Sequence, residues 1–259
     1  VQYIKYYRKI NIDLSFIEKI LKTIESHPKE FSDTPLINLY TNEILLLTKG
    51  DRKYYNTLKS IFLKEAQKLS YLELYSLHNI LQRYLSKQVK TDKLDFKHEK
   101  FILYKNAVSK NIIVYPFKTH IEEYMFIAIV NSSLSANDIA WARSFIYSNE
   151  KFLLDNIKNI VTQMCLAKID FEEGNFTESL SRLKNIKTKN PDTQLQVKVI
   201  LLKIYFELSL FEEAVLAIDS TRHLLIKAER SVTSVFSENY KGFLKFYSVL
   251  LKAKEKNRY

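Results

Sequence analysis

The chain has 259 residues, 46% of them apolar and 27% charged, with only three glycines and four prolines. That length can bury a substantial core in one large or two smaller domains, and so few turn formers exclude a sheet fold and favour long helices. A single cysteine, Cys165, excludes an intramolecular disulfide and a cysteine-based metal cluster and fits a reducing, cytoplasmic setting, while no apolar run is long enough to span a bilayer.

The pattern turns helical almost at once after Val1, so the chain reads as a piece of a longer protein whose N-terminus lies upstream. Ser15 with Glu18 reads as a capping box, followed by Ile17, Ile20, Leu21 and Ile24 at helical spacing as far as His27-Pro28. Asp33-Thr34-Pro35 reads as a cap with proline at the first helical position, opening a helix with Leu36, Leu39, Tyr40, Ile44 and Leu47 that ends at Gly50. Asp51 caps a third helix bearing Tyr55, Leu58, Phe62 and Ala66. Ser70 with Glu73 makes a second capping box for a stripe of Leu74, Leu77, His78, Leu81 and Leu85. Residues 87–100, rich in lysine and acids, predict a loop or a frayed helix start. A helix through Phe101, Tyr104 and Ala107 follows, then an extended Ile112-Ile113-Val114-Tyr115-Pro116. This joint divides the chain into an N-terminal helical subregion, 1–116, and a repeat region, 117–259.

From Thr119, expected with Glu122 to cap a helix, the pattern recurs. Leu166, Ala167, Phe171, Gly174, Phe176, Ser179, Leu183, Ile186 and Pro191 stand where a tetratricopeptide unit places its large-small pair, turn glycine, second-helix contacts and closing proline. Leu201, Leu202, Tyr205, Ser209, Phe211, Ala214 and Ile218 repeat them about 35 residues on. A looser copy places Ile139, Ala142 and Ile146 in its second helix. The segment Val235 to Lys256, with Phe236, Tyr240, Phe243, Leu244, Tyr247, Leu250 and Leu251 on one stripe, reads as a cap helix. The expected fold is all-α, an α-solenoid of antiparallel helix pairs with tetratricopeptide-like repeats in the C-terminal half.

The run Ile200-Leu-Leu-Lys-Ile-Tyr-Phe-Glu-Leu208, then Phe211-Glu-Glu-Ala214 and Asp219-Ser-Thr-Arg-His223, resembles an uncharacterised family of bacterial helical-repeat proteins. The likeness extends back through Leu45-Leu-Leu47 and Tyr54-Tyr55. It implies the repeat fold and further N-terminal helices, and no activity.

The sequence shows no nucleotide-binding glycine loop, serine-nucleophile elbow or His-Glu-x-x-His. His120, Glu122 and Glu123 read as a charged helix start rather than ligands, since neighbours at i and i+2 do not face each other on a helix. His78 reads as a core histidine, Cys165 as a small buried hydrophobe and Trp141 as packing. No catalytic residue, metal or cofactor is expected, and the chain reads as a non-enzymatic protein-protein interaction scaffold. Its partner, an unidentified protein or peptide, would lie in the groove built from the first helix of each repeat. The resemblance to the helical-repeat family implies equivalent, partner-binding positions for Lys168 and Lys203, Phe171 and Phe206, and Glu172 and Glu207, each lysine within reach of the glutamate four residues on. Met164 and Val199 stand where a clamp for acidic peptide tails would carry a lysine.

Two other readings belong to different classes. The net charge of +11 divides into +9 over residues 1–118 (21 basic, 12 acidic), −3 over 119–240 (13 and 16) and +5 over 241–259 (six and one). With aromatics among lysines, as in Tyr3-Ile-Lys-Tyr-Tyr-Arg-Lys9 and Arg52-Lys-Tyr-Tyr55, this raises nucleic-acid or polyanion binding. It is disfavoured because 32 of the 40 cations are scattered lysines. The chain could also be the helical appendage of a larger enzyme.

Overall fold

The computed structural model describes residues 14–31, 34–88, 94–114, 117–228 and 234–256, and every regular element among them is helical. The helices fall into two compact units that divide between Glu122 and Glu123.

The first unit holds α1 (Leu14–Ser26), the single turn α2 (Pro28–Phe31), α3 (Pro35–Lys49), α4 (Arg52–Lys64), α5 (Tyr71–Gln88) and α6 (Leu94–Ser109). From α3 to α6 each helix packs on the next. Local chemistry sets most of the boundaries. Pro35 occupies the first turn of α3, and Gly50 ends that helix at φ +76°, its N–H bonded to the Leu46 carbonyl, a left-handed position that costs glycine nothing. At α5 the capping box forms: the Ser70 N–H donates to Glu73 Oε2 at 2.7 Å and the Glu73 N–H to Ser70 Oγ at 3.4 Å.

Several local expectations are corrected. Ser15 already lies inside α1, so it does not cap it. Thr34 stands at the N-cap of α3 and Asp51 at that of α4, yet neither side chain makes a capping bond; Asp33 falls outside the described residues. The inner face of α3 carries Leu39, Glu43, Leu45 and Leu46, leaving Leu36 and Tyr40 exposed. Of the stretch read as a loop or a frayed helix start, α5 takes the residues up to Gln88 and α6 those from Leu94 on, and 89–93 lie outside the described residues. After α6 the chain leaves the helix with Asn111 at φ +55° and the buried Ile112 and Ile113; Tyr115 and Pro116 lie outside the described residues.

His78 is fully buried between Phe62 and Tyr104, with ring centroids 5.8 and 5.3 Å away, and burial draws its pKa down to about 4. Its Nδ1 has no hydrogen-bond partner among the described residues. Glu99, nearly buried on α6, receives Arg52 at 3.1 Å and Lys59, both from α4. Such a pair resists separation because a lone buried carboxylate is costly.

The second unit contains α7 (Glu123–Ser135), α8 (Ile139–Asn149), α9 (Asp155–Glu172), α10 (Phe176–Lys184), α11 (Pro191–Glu207), α12 (Phe211–Ala228) and α13 (Ser234–Lys256). The pairs α7/α8, α9/α10 and α11/α12 pack together, and α9 also meets α7, α8 and α11. Small side chains sit at these crossings: Ala142, Ala167, Ser179 and Ala214 are fully buried. Ser179 Oγ donates to the Ala167 carbonyl across α9 and α10 at 2.6 Å. Beside it, Arg182 Nε meets the buried Asp170 at 2.5 Å. The final helix packs on α12 with Leu244, Tyr247 and Leu251, and Tyr247 Oη donates to the Leu202 carbonyl at 2.6 Å. The side chain of Phe236 lies outside the described residues.

Candidate functional site

Three turns of the second unit close alike. Asn137, Gly174 and Ser209 adopt φ of +60°, +80° and +56° after α7, α9 and α11. In each, the following N–H reaches back five residues: Asp138 to the Ser133 carbonyl (3.0 Å), Asn175 to Asp170 (2.8 Å) and Leu210 to Tyr205 (2.9 Å). This left-handed closure satisfies carbonyls that a helix end leaves open. It also puts three residue sets in the same place relative to their turns. Asn131, Lys168 and Lys203 each stand six residues before the left-handed residue, and Leu134, Phe171 and Phe206 three before it.

A groove of about 390 Å³ follows from that placement. Its walls are Asn131, Leu134 and Ser135 from α7, Lys168, Phe171 and Glu172 from α9, Gln196, Val199, Ile200 and Lys203 from α11, and Tyr240 from α13. Four of the six partner-binding positions read from the sequence therefore line one cavity. Lys168 lies at its centre, half-buried, and its Nζ donates to Asn131 Oδ1 at 3.0 Å and Gln196 Oε1 at 3.2 Å. Burial, aided by the nearby Lys203 charge, draws the Lys168 ammonium below the ordinary lysine range. Lys203 is exposed, with Nζ 5.9 Å from the centre of the Phe171 ring, a cation-π arrangement.

The expected pairing of each lysine with the glutamate four residues on is overturned: Lys168 reaches two amides on flanking helices and Lys203 an aromatic face. Helical spacing permits the ion pair, but a half-buried ammonium gains more from two fixed acceptors than from an exposed carboxylate. Phe206 and Glu207 do not line the groove. Phe206 is covered by the last helix, its ring 6.2 Å from that of Tyr247, with Lys254 Nζ 4.1 Å above it and bonded to its carbonyl. Glu207 is the exposed last residue of α11.

The chain matches no family model, no curated protein and no solved structure.

The remaining sequence candidates resolve into packing and one short contact. Cys165 is buried, and loss of solvent pushes its thiol up to about 11, which leaves it a weak nucleophile. Trp141 stacks on Phe145 with centroids 5.5 Å apart. His120 and Glu122 do approach, Nε2 to Oε1 at 3.8 Å, because α7 opens only at Glu123 and the i, i+2 argument applies inside a helix; Thr119 therefore caps nothing. Glu122 is engaged by Lys118. Glu123 serves α11: it accepts from Asn190 Nδ2 at 3.2 Å and from Thr193 Oγ1.

Asn131, Gln196 and Tyr240 escaped the sequence reading. Asn131 was open to discovery through its position relative to the Asn137 turn, Tyr240 was read only as part of the final helix's apolar stripe, and Gln196 belongs to no recurring pattern.

Proposed function

We propose that the second unit is a stack of tetratricopeptide-like hairpins whose groove binds an extended peptide segment of a partner protein, and that the chain acts as a non-enzymatic scaffold. The stacking reading is supported by the paired helices, the alternation of contacts through α9 and the three like turns. One observation carries the peptide reading. Lys168 Nζ engages the side-chain oxygens of both Asn131 and Gln196, which turns their NH₂ groups, donors with no acceptor among the described residues, toward other acceptors. Main-chain carbonyls of an extended peptide are the acceptors such a pair of amide donors suits, while Leu134, Phe171 and Tyr240 supply apolar contact.

Lys168→Glu plus Lys203→Glu tests the site. Crosslinking mass spectrometry on material captured from the native host should show partners joined to α7, α9 and α11 in the wild type and lost in the double variant. An unchanged partner set would remove the groove from consideration.

Polyanion binding draws on one feature of the first unit. Lys49, Arg83 and Lys87 border a cleft of about 200 Å³ beside Gly50. Binding of a single-stranded oligonucleotide that survives physiological salt and is abolished by Lys49→Glu plus Lys87→Glu would favour it.

A further inference from the structure

Charge is not spread evenly over the second unit. Residues 119–240 hold 13 basic and 16 acidic side chains, a net −3, yet the groove wall carries Lys168 and Lys203 against a single carboxylate, Glu172. Neither lysine is neutralised from within. Glu172 and Glu207, the acids four residues on, are exposed and pair with neither lysine. Two acids on the neighbouring helices are engaged elsewhere: Asp170 by Arg182, and Glu123 by Asn190 and Thr193. An ammonium has three N–H donors. Lys168 uses two on the amide oxygens of Asn131 and Gln196, and its third has no acceptor among the described residues. Lys203 makes no hydrogen bond or ion pair among the described residues; its Nζ only faces the Phe171 ring. Burial, with the Lys203 charge as a smaller contributor, already disfavours the Lys168 ammonium. Two like charges set in one cavity favour an anion between them.

We infer that the Lys168–Lys203 pair receives the carboxylate of an aspartate or glutamate side chain within the bound segment, so that the groove selects an extended peptide with an acidic residue beside an apolar one. This specificity, which rests on the peptide reading of the groove, divides the work among its walls. The amides of Asn131 and Gln196 take main chain, the two ammoniums take the side-chain charge, and Leu134 and Phe171 take the apolar neighbour. The third N–H of Lys168 supplies a charge-assisted hydrogen bond from a half-buried position, which is the stronger kind. Lys203 adds an attraction that its exposure weakens. Phosphate is the poorer occupant, because the wall has no arginine and so lacks the planar fork that phosphate recognition favours. A peptide's terminal carboxylate is also poorer, since Met164, which is buried, and Val199 stand where a clamp for tails would carry lysine.

Peptides drawn from a random linear library by the full 259-residue chain are the probes, titrated by calorimetry. The selected set should be enriched in Asp or Glu next to an apolar residue. Exchanging that acid for its amide should weaken binding about tenfold. Lys203→Glu is the variant of choice, because Lys203 is exposed and bonds to nothing in the fold, so the thermal midpoint should stay near that of the wild type. It should weaken the acidic peptide at least tenfold, and a peptide with lysine in place of the acid should regain the loss on that variant. A merely structural role for Lys203 gives no such rescue. Selected peptides without an acid, an acid-to-amide exchange that changes nothing, or a Lys203→Glu chain that binds both peptide forms alike would overturn the inference. So would affinity lost on amidating the peptide C-terminus and kept on exchanging the side chain, which would move the charge to the chain end. Peptides that lose affinity with Asn131→Ala plus Gln196→Ala yet ignore every change of charge would keep the peptide reading and remove the acid. A library that yields no peptide sensitive to either set of variants would remove both.

Discussion

The two units solve the same problem, how one helix lies on the next, in different ways. In the first, each crossing has its own device: a buried histidine among aromatics between α4, α5 and α6, a carboxylate on α6 holding two cations of α4, and a buried Glu43 on α3. In the second, a similar turn and buried small residues serve at successive crossings. The contrast teaches that spacing betrays an arrangement only when one solution is reused. It also bears on function, since three like turns bring Asn131, Lys168 and Lys203 to matching positions along one groove, whereas His78, Glu43 and Glu99 of the first unit are committed to its interior.

The sharpest way to break this contrast is to empty one core and watch the other. Phe62 is fully buried in the first unit, and Phe62→Ala should remove about 3–5 kcal/mol. If the units are separate bodies, amide exchange should accelerate through Glu122 and stay slow from Glu123 onward. Uniform acceleration would join them into one cooperative body.

Acid should reveal two opposed terms in the first unit. His78 stays neutral in the fold down to a pKa of about 4, against about 6.5 when unfolded. The unfolded chain therefore binds that proton first, and stability falls from about pH 6.5 to 4, by about 3 kcal/mol in all. Glu43 runs the other way. Burial, reinforced by the Glu73 carboxylate, raises its pKa from 4.5 to about 7, so the folded state takes its proton first and stability rises as pH falls from 7 to 4.5, by a similar amount. Denaturant melts at stepped pH should show His78→Phe gaining stability on acidification over that range and Glu43→Gln losing it. Parallel behaviour of the two variants would contradict the assignment.

The smallest effects separate the turns of the second unit. Gly174 and Ser209 share a left-handed backbone, but only the serine carries a Cβ. Gly174→Ala should cost about 1 kcal/mol, and Ser209→Gly should change stability little or stabilise by a few tenths to about 1 kcal/mol. A stabilising Gly174→Ala, read by thermal unfolding, would show that the turn does not need its left-handed residue.

Helices, and many of their ends, were legible because their determinants are local: Gly50 and the Ser70/Glu73 pair act within four residues. Lys168, Phe171, Glu172 and Lys203 could be placed together because offsets from the turn residues Gly174 and Ser209 survive folding. Phe206 and Glu207 share those offsets and still miss the groove, since Tyr247 and Lys254 of the final helix cover one and α11 ends at the other. Of the Lys168 partners, Gln196 was hidden for the converse reason, since it stands on a separate helix and outside any recurring pattern, while Asn131 shows only through its offset from the Asn137 turn. Buried Glu43 misled the reading of α3, where an apolar stripe was drawn through exposed Leu36 and Tyr40.

The central claim is that the two amide donors flanking Lys168 read a peptide main chain. Peptides selected by the chain from a random library provide the ligand, and calorimetric titration against Asn131→Ala plus Gln196→Ala gives the measurement. Affinity should fall at least tenfold while the chain stays folded, with only a modest drop in melting temperature as Lys168 loses both acceptors, and the wild-type interaction should persist in physiological salt. Undiminished binding by the double variant would contradict the claim.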